Sequence, residues 1–197
     1  MLIPKLIMAT NNLHKIREMR RLFSPHVMDL LSPADLGLHV SVDENGRTFS
    51  ENAILKARAF AEASELIALA DDSGIEVDAL EGRPGIYSAR YGGPGISDRD
   101  RMLLLLQEMG PVPWERRYCR YVASLVLAWP DGHHLAVEGY CDGLVAFKPE
   151  GANGFGYDPI FFLPKLNKTF AQLSDDQKDQ ISHRGNASRS LIQLVDQ

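Results

Sequence analysis

Cysteine is scarce: Cys119 and Cys141 are the only two in 197 residues. A disulfide framework is therefore excluded, and a zinc site built from these thiols alone would lack ligands. Long apolar runs are also missing, and nothing approaches the ~20 residues of a membrane span. Met1 to Thr10 is too short an apolar run for a secretory signal and passes directly into polar residues. Basic residues are outnumbered, 21 to 26, for a net charge of −5. That balance argues against nucleic-acid binding through bulk electrostatics, which needs a basic surface. It leaves room for a local basic cluster around one phosphorylated ligand. Neither a Walker A loop nor a GxGxxG turn follows the first apolar segment. These absences point to a reducing, cytoplasmic setting, with no membrane and no nucleic-acid partner.

What is present is ordinary globular composition, 45% hydrophobic and 24% charged. One domain over residues 1–197 is expected, burying roughly 70% of its unfolded surface. Lys5 to Ala9 reads as a buried strand. After Thr10-Asn11-Asn12, the apolar residues Ile16, Met19, Leu22 and Phe23 recur at helical spacing. Val27 to Leu31 reads as a second strand. Thr48-x-x-Glu51 has the form of a capping box opening an Ala-rich helix over 51–64. Ile67 to Ala70 reads as a strand stopped by Asp71-Asp72-Ser73-Gly74, with Ile75 and Val77 continuing as another. A helix is expected over 98–109, with Leu103 to Leu106 on its buried side. Tyr118–Trp129 and His134–Phe147 form strands joined by the Pro130-Asp131-Gly132 turn. Ile160 to Leu163 is a further strand. Ser174-x-x-Gln177 opens a C-terminal helix, with a break and restart signalled by Ser182 and Gly185. Early βα alternation followed by a hairpin implies an α/β fold, a mixed sheet with helices on both sides.

Five polar constellations carry possible chemistry. Thr10-Asn11-Asn12-Leu13-His14-Lys15 places a polar turn and a lysine at a helix N-terminus, where backbone N–H groups and the dipole favour anions. Asp71-Asp72 follows a buried strand, where α/β sheets place their sites. A Mg²⁺ ion wants one or two protein carboxylates together with phosphate oxygens and water. Asp43-Glu44 lies before the capped helix that carries Lys56. Gly151 to Pro159 sets three glycines around Phe155 and Tyr157, allowing close backbone approach and stacking on a flat base. Lys178, Ser182, His183 and Arg184 make a compact donor cluster suited to phosphate or a carbonyl-bearing base. Each alone has an ordinary structural explanation. Together they describe a nucleotide phosphate site without a P-loop.

The runs Thr10-Asn11-Asn12-x-x-Lys15, Thr48-Phe49-x-Glu51-Asn52-Ala53, Ala70-Asp71-Asp72-Ser73-Gly74, Pro84 to Tyr91, Gly154 to Pro159 and Ser182 to Gly185 occur in a fixed order. In that order the chain resembles the inosine triphosphate pyrophosphatase family, most of all its bacterial dITP/XTP pyrophosphatase branch. The resemblance implies an elongated mixed β-sheet flanked by helices, with two lobes and a central cleft. It implies hydrolysis of (deoxy)inosine and xanthosine triphosphates to monophosphate and pyrophosphate, Mg²⁺ dependence and a homodimer. By position, Thr10 to Lys15 (Thr10, Asn11, Asn12, Leu13, His14, Lys15) would hold the triphosphate. Glu44 and Asp72 would serve the metal, with Asp72 as general base; Asp43 could exchange roles with Glu44. Lys56, Ser73 and Arg90 would line the substrate. Phe155, Gly156, Tyr157 and Asp158 would bracket the base, and Lys178, His183 and Arg184 would complete the pocket. The chain departs from the family at Asn11 and Asn153, where glycine is usual.

Overall fold

The computed structural model describes residues 5–24 and 29–196. Seven strands form one mixed sheet in the order β2-β1-β3-β4-β5-β6-β7. They are β1 (Leu6–Met8), β2 (Leu30–Leu31), β3 (Ile67–Val77), β4 (Tyr118–Ala128), β5 (His134–Val145), β6 (Phe161–Leu163) and β7 (Lys168–Thr169). β1 pairs in parallel with β2 and β3, whereas β6 pairs antiparallel with β5 and β7. The helices are α1 (Leu13–Phe23), α2 (Phe49–Ser64), α3 (Asp98–Glu108), α4 (Asp175–Ile181) and α5 (His183–Val195). The chain folds into two compact units. One holds Met1–Asp72, Ala123–Gly139 and His183–Gln197; the other holds Ser73–Val122 and Tyr140–Ser182. No helix among the described residues is long and apolar enough to cross a membrane.

In the first unit, strand alternation sends side chains to two buried faces. Leu6, Met8, Leu69, Leu125 and Leu127 meet Ile16, Met19 and Phe23 of α1 and Leu191 of α5. Ile7, Ala68, Ala70, Val126 and Ala128 meet Ala53, Ala57, Phe60 and Ala61 of α2. Helices therefore cover both faces, as the βα pattern implied. Both α1 and α2 begin at side-chain caps. The Asn12 Oδ1 accepts from the backbone N–H groups of His14 (2.9 Å) and Lys15 (3.3 Å). Thr48 Oγ1 accepts from Glu51 N at 3.1 Å. The reciprocal half of that expected box is different: Glu51 Oε2 accepts from Arg47 N at 2.6 Å, one residue earlier than Thr48.

Gly139 of β5 marks a close approach. A Cβ there would lie 2.2 Å from the His183 carbonyl oxygen and 2.3 Å from Ala187 N. Both obstacles are helix backbone, which cannot rotate away. Gly139→Ala is expected to lower unfolding free energy by about 3 kcal/mol, the upper range of overpacking. Urea unfolding of the two proteins checks this; a loss too small to resolve would mean that α5 shifts freely.

The second unit is built around Ile75, Leu105, Met109, Val145, Ile160, Phe161 and Phe170. Tyr121 stacks on Phe161 and Phe170, with centroids 4.4 and 5.7 Å apart. α4 opens with the expected capping box: Ser174 Oγ accepts from Gln177 N, and Gln177 Oε1 accepts from Ser174 N. Several details differ from the sequence expectation. β3 runs unbroken through Asp71-Asp72-Ser73-Gly74, with no turn. Gly74 is there for close packing: a Cβ would lie 2.4 Å from Ser88 Oγ and 2.5 Å from the Gly85 carbonyl oxygen. Of the Leu103–Leu106 run, Leu105 is buried as expected and Leu104 and Leu106 are half-buried, but Leu103 is exposed and Met102 is buried in its place. The last two helices break at Ser182 as expected, where the backbone is extended, but Gly185 takes no part in the break and sits inside α5. Ile160 belongs to a 3-10 turn over Asp158–Ile160, and β7 had no distinct sequence signal. Val27 and Met28 of the expected second strand lie outside the described residues, as do the first four residues.

Candidate active site

In the first unit, β1 ends at the turn that caps α1. Thr10 Oγ1 accepts from Asn12 N at 3.1 Å, and Asn12 in turn caps the helix. Asn11, Leu13 and His14 are exposed on this turn. Lys15 instead reaches β3, placing Nζ 3.2 Å from the Asp71 carbonyl oxygen and 3.3 Å from Asp71 Oδ2. Burial pushes the Lys15 ammonium down from its usual range, while Asp71 pulls it back up.

Asp71 and Asp72 are consecutive in a strand, so their side chains leave on opposite sides. Asp71 is fully buried. Its Oδ2 accepts from Arg184 Nε at 2.8 Å, and Arg184 also donates to Glu18 Oε2 at 3.1 Å. Burial alone would raise the Asp71 carboxyl, but Arg184 and Lys15 outweigh it and hold it well below the usual carboxylate range. Asp72 has the opposite balance. Burial pushes its carboxyl up, and the pull of Lys56 and Lys15 does not overcome it; Glu44 adds to the rise.

Lys56 comes from the buried side of α2. Its Nζ donates to Asp72 Oδ1 at 2.8 Å, to the Asp71 carbonyl at 3.2 Å and to Glu44 Oε2 at 3.4 Å. Asp72 Oδ2 is buried and has no hydrogen-bond partner among the described residues. Glu44 is half-buried toward this cluster, whereas Asp43 is exposed. Four carboxylates and three cations thus converge: Glu18, Glu44, Asp71 and Asp72 with Lys15, Lys56 and Arg184. His183 is buried at the start of α5.

The second unit carries the remaining residues. Asp158 and Lys178 form a buried ion pair at 2.7 Å. Asp158 Oδ2 also accepts from Phe155 N at 2.9 Å, closing the Gly154–Gly156 turn around the carboxylate. The Lys178 ammonium lies 5.1 Å from the Phe155 ring centroid. Asn153 has a use that glycine lacks: its Nδ2 donates to the Leu173 carbonyl at 2.9 Å. Phe155 and the glycines line a cavity of about 460 Å³ together with Arg99 and Met102. Tyr157 is buried, and Ser73 is half-buried. Arg90 is exposed, its guanidinium 5.7 Å from the Tyr87 ring centroid.

Sequence reasoning gave no role to Glu18 or to the Asp71 side chain. A signal existed for Glu18: it lies one helical turn beyond Lys15 and beside the core residue Met19. An acidic residue on that buried stripe requires a cationic partner.

Residues 6–194 match the model of the Ham1 family. A dITP/XTP pyrophosphatase of Thermus thermophilus is 49% identical over 189 residues, covering 96% of this chain and 90% of its own. The dITP/XTP pyrophosphatase of Bacillus subtilis is 40% identical over 195 residues, covering 99% and 98%. The solved structure of the Staphylococcus aureus Ham1 protein superposes with a TM-score of 0.86 at 43% identity, covering 98% of both chains. A family match over nearly the whole sequence, supported by relatives at this identity and by a shared fold, means that the chain belongs to the Ham1 family.

Proposed function

We propose that this protein hydrolyses non-standard purine nucleoside triphosphates, dITP and XTP among them, to the monophosphate and pyrophosphate. Its relatives named dITP/XTP pyrophosphatases support the substrate class. The observation that carries the chemistry is Asp72: a buried carboxylate with one oxygen on Lys56 and the other without a partner among the described residues.

The same observation tests the fit of a divalent cation. Among the described residues, no group of three or more His, Cys, Asp or Glu side chains could hold a metal. Glu44 and Asp72 do share one positive charge already, the Lys56 ammonium. Two carboxylates, completed by phosphate oxygens and water, are the donor set that suits Mg²⁺. Mg²⁺ held by Glu44 and Asp72 would supply Lewis-acid polarisation of the phosphate oxygens.

Asp72 orients a water and takes its proton as the water oxygen attacks the α-phosphorus. The bond from that phosphorus to the bridging oxygen breaks, and pyrophosphate leaves. Lys15 and Lys56 offset the charge that develops on it. The Thr10–Lys15 turn offers backbone and side-chain donors to the phosphates. Ser73 and Arg90 are further phosphate and sugar contacts in this reading. Phe155 stacks on the purine, with Gly156, Asp158, Lys178, His183 and Arg184 reading its edge. A donor facing the purine 6-carbonyl favours inosine and xanthosine over adenosine, which presents an amino group there. The reading also takes the protein as a cytoplasmic homodimer.

Incubation with Mg²⁺ and inosine triphosphate, followed by product separation, tests the proposal. Inosine monophosphate and pyrophosphate are expected, with no diphosphate at any time. Diphosphate with orthophosphate would place attack at the γ-phosphorus and overturn it. A chelator in excess is expected to lower the rate by at least about a hundredfold, restored by added Mg²⁺.

A further inference from the structure

Tyr157 stands in the turn that the sequence places around the base, yet its hydroxyl points elsewhere. It is buried and donates to the Ser88 carbonyl oxygen at 2.9 Å. Ser88 belongs to the 3-10 turn Gly85–Arg90, which ends on Arg90. The Ser88 hydroxyl accepts from Ile75 N at 2.9 Å and donates to the Gly85 carbonyl at 2.7 Å. Gly74 is pressed against the same hydroxyl, with no room for a side chain. Glu76 and Pro84 add a β-bridge next to this point. Three segments therefore meet at Ser88: the β3 stretch beginning at Ser73, the turn carrying Arg90, and the turn carrying Phe155. The contact at Tyr157 is doubly anchored, because its own carbonyl accepts from Ile160 N and Phe161 N at 3.0 and 3.1 Å.

We infer that Tyr157 is a positioning residue. Its hydroxyl, through the Ser88 carbonyl, sets the base-stacking turn of Phe155 in fixed register with the Arg90 turn and the Ser73–Ile75 stretch. The inference rests on the function proposed above for its substrate contacts. It departs from the expectation that Tyr157 brackets the base. Only the hydroxyl can supply this link; the ring packs in the apolar cluster with Ile75 and Leu105. The Tyr157 phenol is pushed well above its ordinary range, chiefly by burial, so it stays a donor throughout the working pH range. Losing the link frees the Phe155 turn to shift, and selection by the purine edge is what such a shift degrades.

Tyr157→Phe keeps the ring and removes the hydroxyl. Two readouts are taken on the whole protein, with Leu80→Ala, a truncation in the same apolar cluster, as a stability control. The first is amide hydrogen exchange without nucleotide. Tyr157→Phe is expected to speed exchange both in residues 154–158 and in residues 85–91. Faster exchange in only one segment, or in neither, would overturn the coupling. The second is the ratio of kcat/KM for inosine over adenosine triphosphate. It is expected to fall about tenfold in Tyr157→Phe and to stay near the parent value in Leu80→Ala. An unchanged ratio in Tyr157→Phe, or an equal fall in Leu80→Ala, would remove the positioning role. If the parent protein turns over neither nucleotide, the proposed function fails, and the exchange data alone decide whether the three segments are coupled.

Discussion

Asp72→Asn is expected to abolish most turnover while leaving the fold intact. The substitution keeps the shape of the side chain and removes its capacity to take a proton. Positioned general bases contribute about 10² to 10⁴ in rate, so kcat should fall by about a thousandfold. Stability should move little. Burial raises the Asp72 carboxyl above its ordinary value, so the charged form is less favoured in the folded chain than in the unfolded one. A neutral amide relieves that burial cost and gives up the pairing with Lys56, which retains Glu44 and the Asp71 carbonyl. The net change should stay within about 1 kcal/mol. The pH profile gives a second check. The acid limb of kcat/KM should lie above the ordinary aspartate value of about 4, because Asp72 must be ionised to act. In Asp72→Asn that limb should vanish from the residual rate. A variant that kept the parent kcat would show that another group takes the proton.

The contrast between Asp71 and Asp72 shows what the sequence could and could not reveal. The motif placed two carboxylates side by side, and strand periodicity implied that they serve different neighbours. The partners of Asp71 come from α1 and α5, as far away in sequence as Lys15 and Arg184. No local pattern announces such pairings; they arise only when the sheet brings helix ends together. The strands β1, β3 and β4 were legible as continuous apolar runs, as expected of strands buried on both faces. The unbroken course of β3 was not. Gly74 and two adjacent aspartates read as a turn, and only packing against Ser88 explains a glycine in an extended strand. The α2 cap was half-legible: Thr48 acts as expected, but the reach of Glu51 to Arg47 depends on the approach of the preceding loop. Leu103 was misplaced because four consecutive leucines hide which side of α3 is buried. Asn153 departs from the family's usual glycine, and its amide ties the Phe155 turn to Leu173.

Asp71→Asn should act in the reverse sense to Asp72→Asn, with its largest effect on stability. Asp71 is the common acceptor for Lys15 and Arg184; Asp71 and Arg184 are buried, and Lys15 is largely so. Removing one partner of a buried ion network leaves uncompensated charge and costs about 3 kcal/mol. Glu18 still neutralises Arg184, so the excess falls on Lys15, which Asp71 alone holds by a salt bridge among the described residues. The pH dependence fixes the sign. The Asp71 carboxyl is depressed in the folded chain, so its contribution is complete above the unfolded value of about 4. It is lost as pH falls from there through the folded value. The parent should therefore lose stability steeply below about pH 4, while the variant, which has nothing to titrate at this position, should follow a flatter curve. The two curves should converge in acid and separate by about 3 kcal/mol at neutral pH. Urea unfolding across that range reads both quantities. Parallel curves would show that Asp71 is ionised equally in the folded and unfolded chain, and that Arg184 and Lys15 do not stabilise its charge. The two neighbouring substitutions thus divide the site: one carboxylate is held ionised by Lys15 and Arg184, and the other, paired with Lys56, is the proposed base.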